Sequence, residues 1–153
     1  MKQFRKIEDG MYIGAQPTEQ DLEDCRKHGI RTVIDFRLPT ETAAPNAARV
    51  QACGMDYANI PVNKASLSAS QVEDLSRVMN EKPGPYLFHC ATGARAATLL
   101  ALAEAGKHGW TAERTFEEAR NMGFDLKGSP EFSAFIVAAT AGNARQTPDR
   151  RQP

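Results

Sequence analysis

Between Tyr86 and Thr98 the chain reads YLFHCATGARAAT, and this stretch restricts the fold more than any other. The apolar run Tyr86-Leu87-Phe88 stops abruptly at His89-Cys90. Four small residues follow, Ala91-Thr92-Gly93-Ala94, and then Arg95 opens a long run of alanine and leucine. An apolar run of strand length, a tight small-residue loop and a helix apolar nearly all round describe two buried elements joined by a short turn.

The rest of the pattern alternates in the same way. Strands are predicted at Met11–Ile13, Thr32–Phe36, Tyr86–Phe88 and, more weakly, Tyr57–Ile60. Helices are predicted between them. One is capped by Thr18, carries Glu19 and Asp21 in its first turn, turns Leu22 and Cys25 inward and ends at Gly29. A second lies in the Ala-rich stretch Thr40–Cys53, after Pro45, and closes at Gly54. A third starts at a Ser70 cap, places Val72, Leu75, Val78 and Met79 on one face, and stops at Lys82-Pro83-Gly84-Pro85. Arg95–Gly106 is the buried helix. Thr111 caps a helix with Ala112, Phe116 and Ala119, and Ser129-Pro130 starts a last one carrying Phe132, Phe135, Ile136 and Ala139. Pro61–Ser68 reads as loop. Alternating strands and helices predict an α/β fold: one domain over residues 1–141, a mostly parallel sheet of four to five strands, and helices on both faces. The polar segment from Gly142 to Pro153 is expected to be a disordered tail.

Bulk properties narrow the function. The 153 residues suffice for one domain with a real core. Nineteen basic residues balance nineteen acidic ones, which argues against general affinity for nucleic acid or a membrane surface, so any anion site must be local. Cys25, Cys53 and Cys90 form no disulfide framework and share no metal-ligand spacing with His28, His89 and His108. No cofactor or metal is expected. No signal peptide or membrane span is visible at the sequence level, so the expected compartment is the cytoplasm, where a thiol stays reduced.

In open α/β sheets ligands bind at the carboxyl ends of the strands, and His89-Cys90 lies at such an end. The loop amides before the helix have no intrahelical partner, Gly93 permits a sharp turn, and Ala91 and Ala94 let the backbone wrap closely. Such a curl is an anion nest, and Arg95 adds a planar cationic fork. The same field acts on the Cys90 thiol. Thiols at helix N-termini beside a cation titrate well below the ordinary value of about 8.5. A nucleophile and a cradle for an anion are therefore adjacent. Thr92 is placed to bond the thiolate or the anion, and His89 to hold the loop rather than to act as a base. Cys25 and Cys53 read as small buried apolar residues, His28 and His108 as structural, Asp35 and Arg37 as a loop-bracing pair, and Trp110 as core.

With its His-Cys, loop and Arg between a strand and a helix, the chain resembles the cysteine phosphatase superfamily. The segment YIGAQPTEQDLEDCRKHGIRTVIDFRLPTE resembles the first part of small dual-specificity-like domains. The similarity is nearest to a bacterial subfamily that also occurs fused to beta-lactamase-like metallohydrolases, and it runs from about Phe4 to Ala139. It implies a cysteine-phosphatase-like fold and a hydrolase for a small anionic or phosphorylated substrate, with Cys90 and Arg95 catalytic. Ala91, Thr92, Gly93, Ala94 and Arg95 would bind the anion, supported by His89, Thr98, Asp35 and Arg37. Three departures from ordinary phosphatases stand out, the first of them typical of that bacterial subfamily. Only four residues separate Cys90 from Arg95, as in the active loop of rhodaneses, which carry a persulfide. Ala96-Ala97 replace the Ser or Thr that helps the thiolate leave, with Thr98 or Thr92 as substitutes. IPVNKASLSAS has Asn63 where an Asp general acid is expected, and no carboxylate before Glu73. Three readings follow: a cysteine-dependent phosphatase, a rhodanese-like sulfurtransferase, and a non-catalytic anion-binding module.

Overall fold

The computed structural model describes residues 1–41 and 46–143. Five strands form one sheet: β1 (Arg5–Glu8), β2 (Met11–Gly14), β3 (Thr32–Asp35), β4 (Asp56–Asn59) and β5 (Tyr86–His89), in the order β1-β2-β5-β3-β4. Only β1 runs antiparallel, against β2. β2, β5, β3 and β4 are parallel, with Ile34 level with Phe88 and Phe88 level with Ile13. β5 is thus central and β3 lies beside it, and both are buried along their whole length. That is why each reads as an unbroken apolar run.

Side chains alternate between the two faces of the sheet. Val33 and Leu87 pack with Leu22 and Cys25 of α1 (Glu19–Lys27) and Val50 of α2 (Asn46–Ala52). Ile13, Ile34 and Phe88 pack on the other face against α3 (Ala69–Glu81), α4 (Ala94–His108), α5 (Ala112–Asn121) and α6 (Pro130–Ala139). The expected α/β domain with helices on both faces is what forms. In α4, eight residues are buried, Ala96 to Leu102 and Ala105, so helices pack around it from several sides.

The caps at Thr18, Thr111 and Ser129 stand where the sequence puts them. α3 is different: its cap is Ser68, not Ser70. Gln71 reaches back to the Ser68 amide, a capping box that sets the start two residues earlier. The segment expected as loop, Pro61–Ser68, contains a short 3₁₀ turn at Lys64–Ser66, with Asn63 Oδ1 accepting from Ala65 N at 2.9 Å. Cys53 lies in the turn after α2 and is half-buried, not within a helical stripe. Trp110 is not core. It is half-buried, stacked on His108 at 5.5 Å and covered by the Arg114 guanidinium at 4.7 Å. Of the tail predicted from Gly142, Asn143 donates to the Trp110 carbonyl at 3.0 Å, and residues 144–153 lie outside the described residues. No helix among the described residues is long and apolar enough to cross a membrane.

Candidate active site

Cys90 follows the last residue of β5 and is 1% exposed. The chain turns over it, and the Gly93 amide donates back to Cys90 Sγ at 3.0 Å. Two features require glycine at 93. Its φ is +105°, and a β-carbon there would stand 2.5 Å from the Phe124 ring and 3.3 Å from the Gly14 carbonyl oxygen at the end of β2. The loop is wedged between the neighbouring strand end and Phe124, which holds the Gly93 amide on the sulfur. α4 starts immediately after, and its first intrahelical bond runs from Ala97 N to the Gly93 carbonyl, so the amides before Ala97 lie free of that ladder. Ala91 and Thr92 are exposed at the rim, and Ala94 is half-buried. Thr92 Oγ1 is 3.4 Å from Ala94 N, a long contact within the loop itself.

Arg95 is held by a residue that was not read from the sequence. Its Nη1 and Nη2 donate end-on to the two carboxylate oxygens of Glu41, each at 2.7 Å, and Nη1 also donates to the Val62 carbonyl at 2.9 Å. A guanidinium has five N–H groups. Three are engaged here, which leaves Nε–H and one Nη2–H on a common edge, a two-pronged donor for an oxyanion. Glu41 is fixed in turn. It closes the 3₁₀ turn Pro39–Glu41, where the Leu38 amide donates to its Oε2 at 2.7 Å. The Arg95 guanidinium, helped by that amide against partial burial, holds the Glu41 carboxyl down to about 2. It is ionised at neutral pH.

The expected Asp35–Arg37 pair forms, but at a distance from the loop mouth. Arg37 Nε and Nη2 donate to Asp35 Oδ1 and Oδ2 at 3.0 Å each, with both side chains 2% exposed. Asp35 also accepts from the Arg37 amide, from Asn46 Nδ2 at 3.0 Å and from the Tyr57 hydroxyl at 2.8 Å. Burial alone would raise the Asp35 carboxyl, but Arg37 and these donors outweigh it and hold it below the ordinary value. Burial and the neighbouring Asp35 charge push the Tyr57 phenol up. Asn59 Nδ2 ties the Asp35 and Arg37 carbonyls at 2.7 and 2.9 Å.

His89 joins this network to the loop. It is fully buried, and that burial outweighs the attraction of Asp35 and lowers its pKa to about 4, so it is neutral at pH 7. Asn46, already a donor to Asp35, stands with Nδ2 3.3 Å from His89 Nε2, while Nδ1 lies 3.4 Å from the Cys90 carbonyl. These contacts fit a neutral ring that accepts at Nε2 and donates at Nδ1. Thr98, expected to assist the thiolate, is buried, and its hydroxyl donates to the Ala94 carbonyl at 2.8 Å. That back-bonding one turn up is the usual fate of a mid-helix threonine.

The loop opens on a cavity of about 360 Å³ lined by Leu38, Asn63, Lys64, Thr92, Ala94, Arg95 and Phe132. No carboxylate lines it among the described residues. Asn63 is in place but caps a turn, and Glu73 lies in a different groove, between α3 and α6. A second cavity, about 530 Å³ between α1 and α2, is lined in part by Cys53 and lies on the opposite face of the sheet from α4.

A buried thiol under a glycine-pinned turn, at the end of the central parallel strand, is the layout of the cysteine-phosphatase fold. A candidate phosphatase of the DUF442 group from Shewanella putrefaciens CN-32 superposes with a TM-score of 0.77 at 20% identity, over 92% of this chain and 90% of that one. The TpbA protein of P. aeruginosa, solved as a cysteine-to-serine variant with pTyr, superposes with a TM-score of 0.69 at 18% identity, over 93% and 90%. Residues 3–107 match the family described as the phosphatase-like domain of beta-lactamase hydrolase-like protein, and the chain belongs to that family. A beta-lactamase hydrolase-like protein of Agrobacterium fabrum is 31% identical over 129 residues. That alignment covers 79% of this chain and 29% of the relative, so the chain spans under a third of the length of the curated relatives it matches.

Proposed function

We propose that this domain is a cysteine-dependent phosphatase for phosphomonoesters, acting in a reducing compartment such as the cytoplasm. The observation that carries the reading is the pairing of Cys90 Sγ, held by the Gly93 amide, with an adjacent Arg95 fork whose remaining edge has no carboxylate or carbonyl partner among the described residues. The Cys90 thiolate attacks phosphorus. An S–P bond forms as the ester O–P bond breaks, and the leaving oxygen takes a proton from water. Loop amides and the free Arg95 edge hold the phosphoryl oxygens, where transition-state charge is best stabilised. Water then attacks the phosphocysteine, releasing phosphate and the thiolate. His89, neutral and turned toward Asn46 and the loop backbone, positions the loop and transfers no proton in the reaction. Asp35 and Arg37 brace it from behind.

Because no carboxylate is among the cavity-lining residues and the Glu41 carboxylate beside Arg95 is held ionised, the reading favours substrates with good leaving groups. A missing general acid costs about 10²–10⁴ in rate for poor ones. The test is phosphate release from an aryl phosphate by wild type and by Cys90→Ser, with and without vanadate. Turnover that needs Cys90 and is blocked by vanadate supports the reading; its absence overturns it.

The same missing acid and the four-residue gap favour a second reading, sulfur transfer. There the Cys90 thiolate takes the outer sulfur of thiosulfate, forming a persulfide and releasing sulfite, and needs no acid. A protein that binds phosphate but does neither reaction would be the non-catalytic anion module.

A further inference from the structure

One cation at the mouth is not used by the reaction above. Lys64 opens the 3₁₀ turn at Lys64–Ser66 and lines the same cavity as Thr92 and Arg95. Its backbone is well anchored. Val62, two residues before it, donates to the Phe36 carbonyl at 3.1 Å and accepts from Arg95 at 2.9 Å, and Asn63 caps the turn. Lys64 and Arg95 are thus tied to one short piece of chain. The ammonium stands 5.4 Å from the centre of the Phe132 ring, itself buried and fixed, which holds the charge by the cavity wall.

Its charge is also poorly compensated. The nearest carboxylate is Glu131, 3.7 Å away, with both side chains about half exposed. Other lysines are held more closely, Lys6 to Asp9 at 2.9 Å and Lys127 to Glu113 at 2.7 Å. Glu131 lies in the first turn of α6, where the helix N-terminus already favours a negative charge without Lys64. With no carboxylate in the lining among the described residues, the cavity offers a second cation beside the Arg95 fork.

We infer that Lys64 is a specificity residue that binds a second oxyanion on the substrate, so that the preferred substrate is a small molecule carrying a phosphate or carboxylate besides the phosphoryl group in the loop. This inference rests on the anion-binding role of the Cys90–Arg95 loop in the reading above. The ammonium would move from Glu131 to the substrate's second group, exchanging a loose solvent-exposed contact for a charge-assisted hydrogen bond against a fixed aromatic ring.

The test uses binding, so that it does not depend on turnover. Affinities of methylphosphonate, methylenebisphosphonate and phosphonoacetate are measured by calorimetry on Cys90→Ser and on Cys90→Ser with Lys64→Gln. A second surface variant, Lys107→Gln, corrects for the loss of one charge. At least one two-anion ligand should bind Cys90→Ser about fivefold more tightly than methylphosphonate. Lys64→Gln should bring that ratio below about twofold, while Lys107→Gln leaves it in place. The ligand that shows the gain identifies the second group. A ratio near one in Cys90→Ser, a ratio insensitive to Lys64→Gln, or no binding of any ligand would overturn the inference. A Lys64-dependent ratio in a protein that fails to turn over aryl phosphates would instead overturn the phosphatase reading and leave this one standing.

Discussion

Among the described residues, two arginines grip both oxygens of a carboxylate; the pairs look alike on paper and do different work. Arg37–Asp35 is buried on both sides and ringed by Asn46, Tyr57 and the Arg37 amide. Arg95–Glu41 stands at the cavity mouth, its side chains 15% and 28% exposed, with the carboxylate gripped end-on and the other guanidinium edge left to the Cys90 sulfur and any bound anion. The first pair is sealed from solvent, with only Arg37 Nη1 left without a partner among the described residues, and it ties the end of β3 to β4 and α2. The second is open, and its carboxylate serves to aim the arginine. Ionic chemistry is common to both. What separates them is which N–H groups remain and whether water or a ligand can reach them.

Breaking the closed pair should have the largest effect. Asp35→Ala leaves a buried Arg37 charge and two buried donors without their acceptor, and should cost about 3–5 kcal/mol in denaturant melts. If it costs under about 1 kcal/mol, Asp35 is not the brace described here. Breaking the open pair at the arginine should leave the fold nearly intact and remove the chemistry. Arg95→Lys keeps the charge but loses the planar edge, so kcat/KM on an aryl phosphate should fall about 10²–10³-fold. Glu41→Gln should be milder, about tenfold in kcat/KM with a parallel loss of vanadate affinity. A loss of activity with vanadate affinity unchanged would deny Glu41 the aiming role.

A further effect is in pH. His89 is held neutral to about pH 4, while its unfolded counterpart takes a proton near 6.5. Between those values the unfolded state binds more protons, so stability should fall as pH drops from 6.5 to 4. Replacing His89 by Asn should flatten that part of the profile. The Glu41 contribution has its own window: present above about pH 4.5, it is lost as pH falls toward 2. A melting temperature flat from pH 6.5 to 4 in the wild type would contradict a buried neutral His89.

Much of this was legible in the sequence, for physical reasons that can be named. β3 and β5 are covered on both faces and so are written as apolar runs. Gly93 marks the one place in the loop where a side chain has no room. The edge strand β1, Arg-Lys-Ile-Glu, was missed because an exposed antiparallel edge has little need of apolar residues. Glu41 was missed because its partner is 54 residues away and an isolated Pro-Thr-Glu turn gives no periodic signal. Its position just beyond the carboxyl end of β3, the strand beside β5, was the available clue. Asn46, Tyr57 and Asn59 were missed for a related reason. Each is polar, ranging from buried Asn46 to exposed Asn59, and meaningful only once Asp35 is known to lie between them. Sequence patterns record burial well and long-range polar pairing poorly.

The central claim is that the Cys90 thiolate attacks phosphorus. It is tested most directly by acid-quenching the wild-type protein during turnover of an aryl phosphate and weighing the intact chain, with thiosulfate in a parallel sample and Cys90→Ser as the blank. The account predicts one added phosphoryl group on the wild type, none on Cys90→Ser, and phosphate in solution. One added sulfur from thiosulfate, with no phosphoryl adduct and no phosphate released, would contradict it.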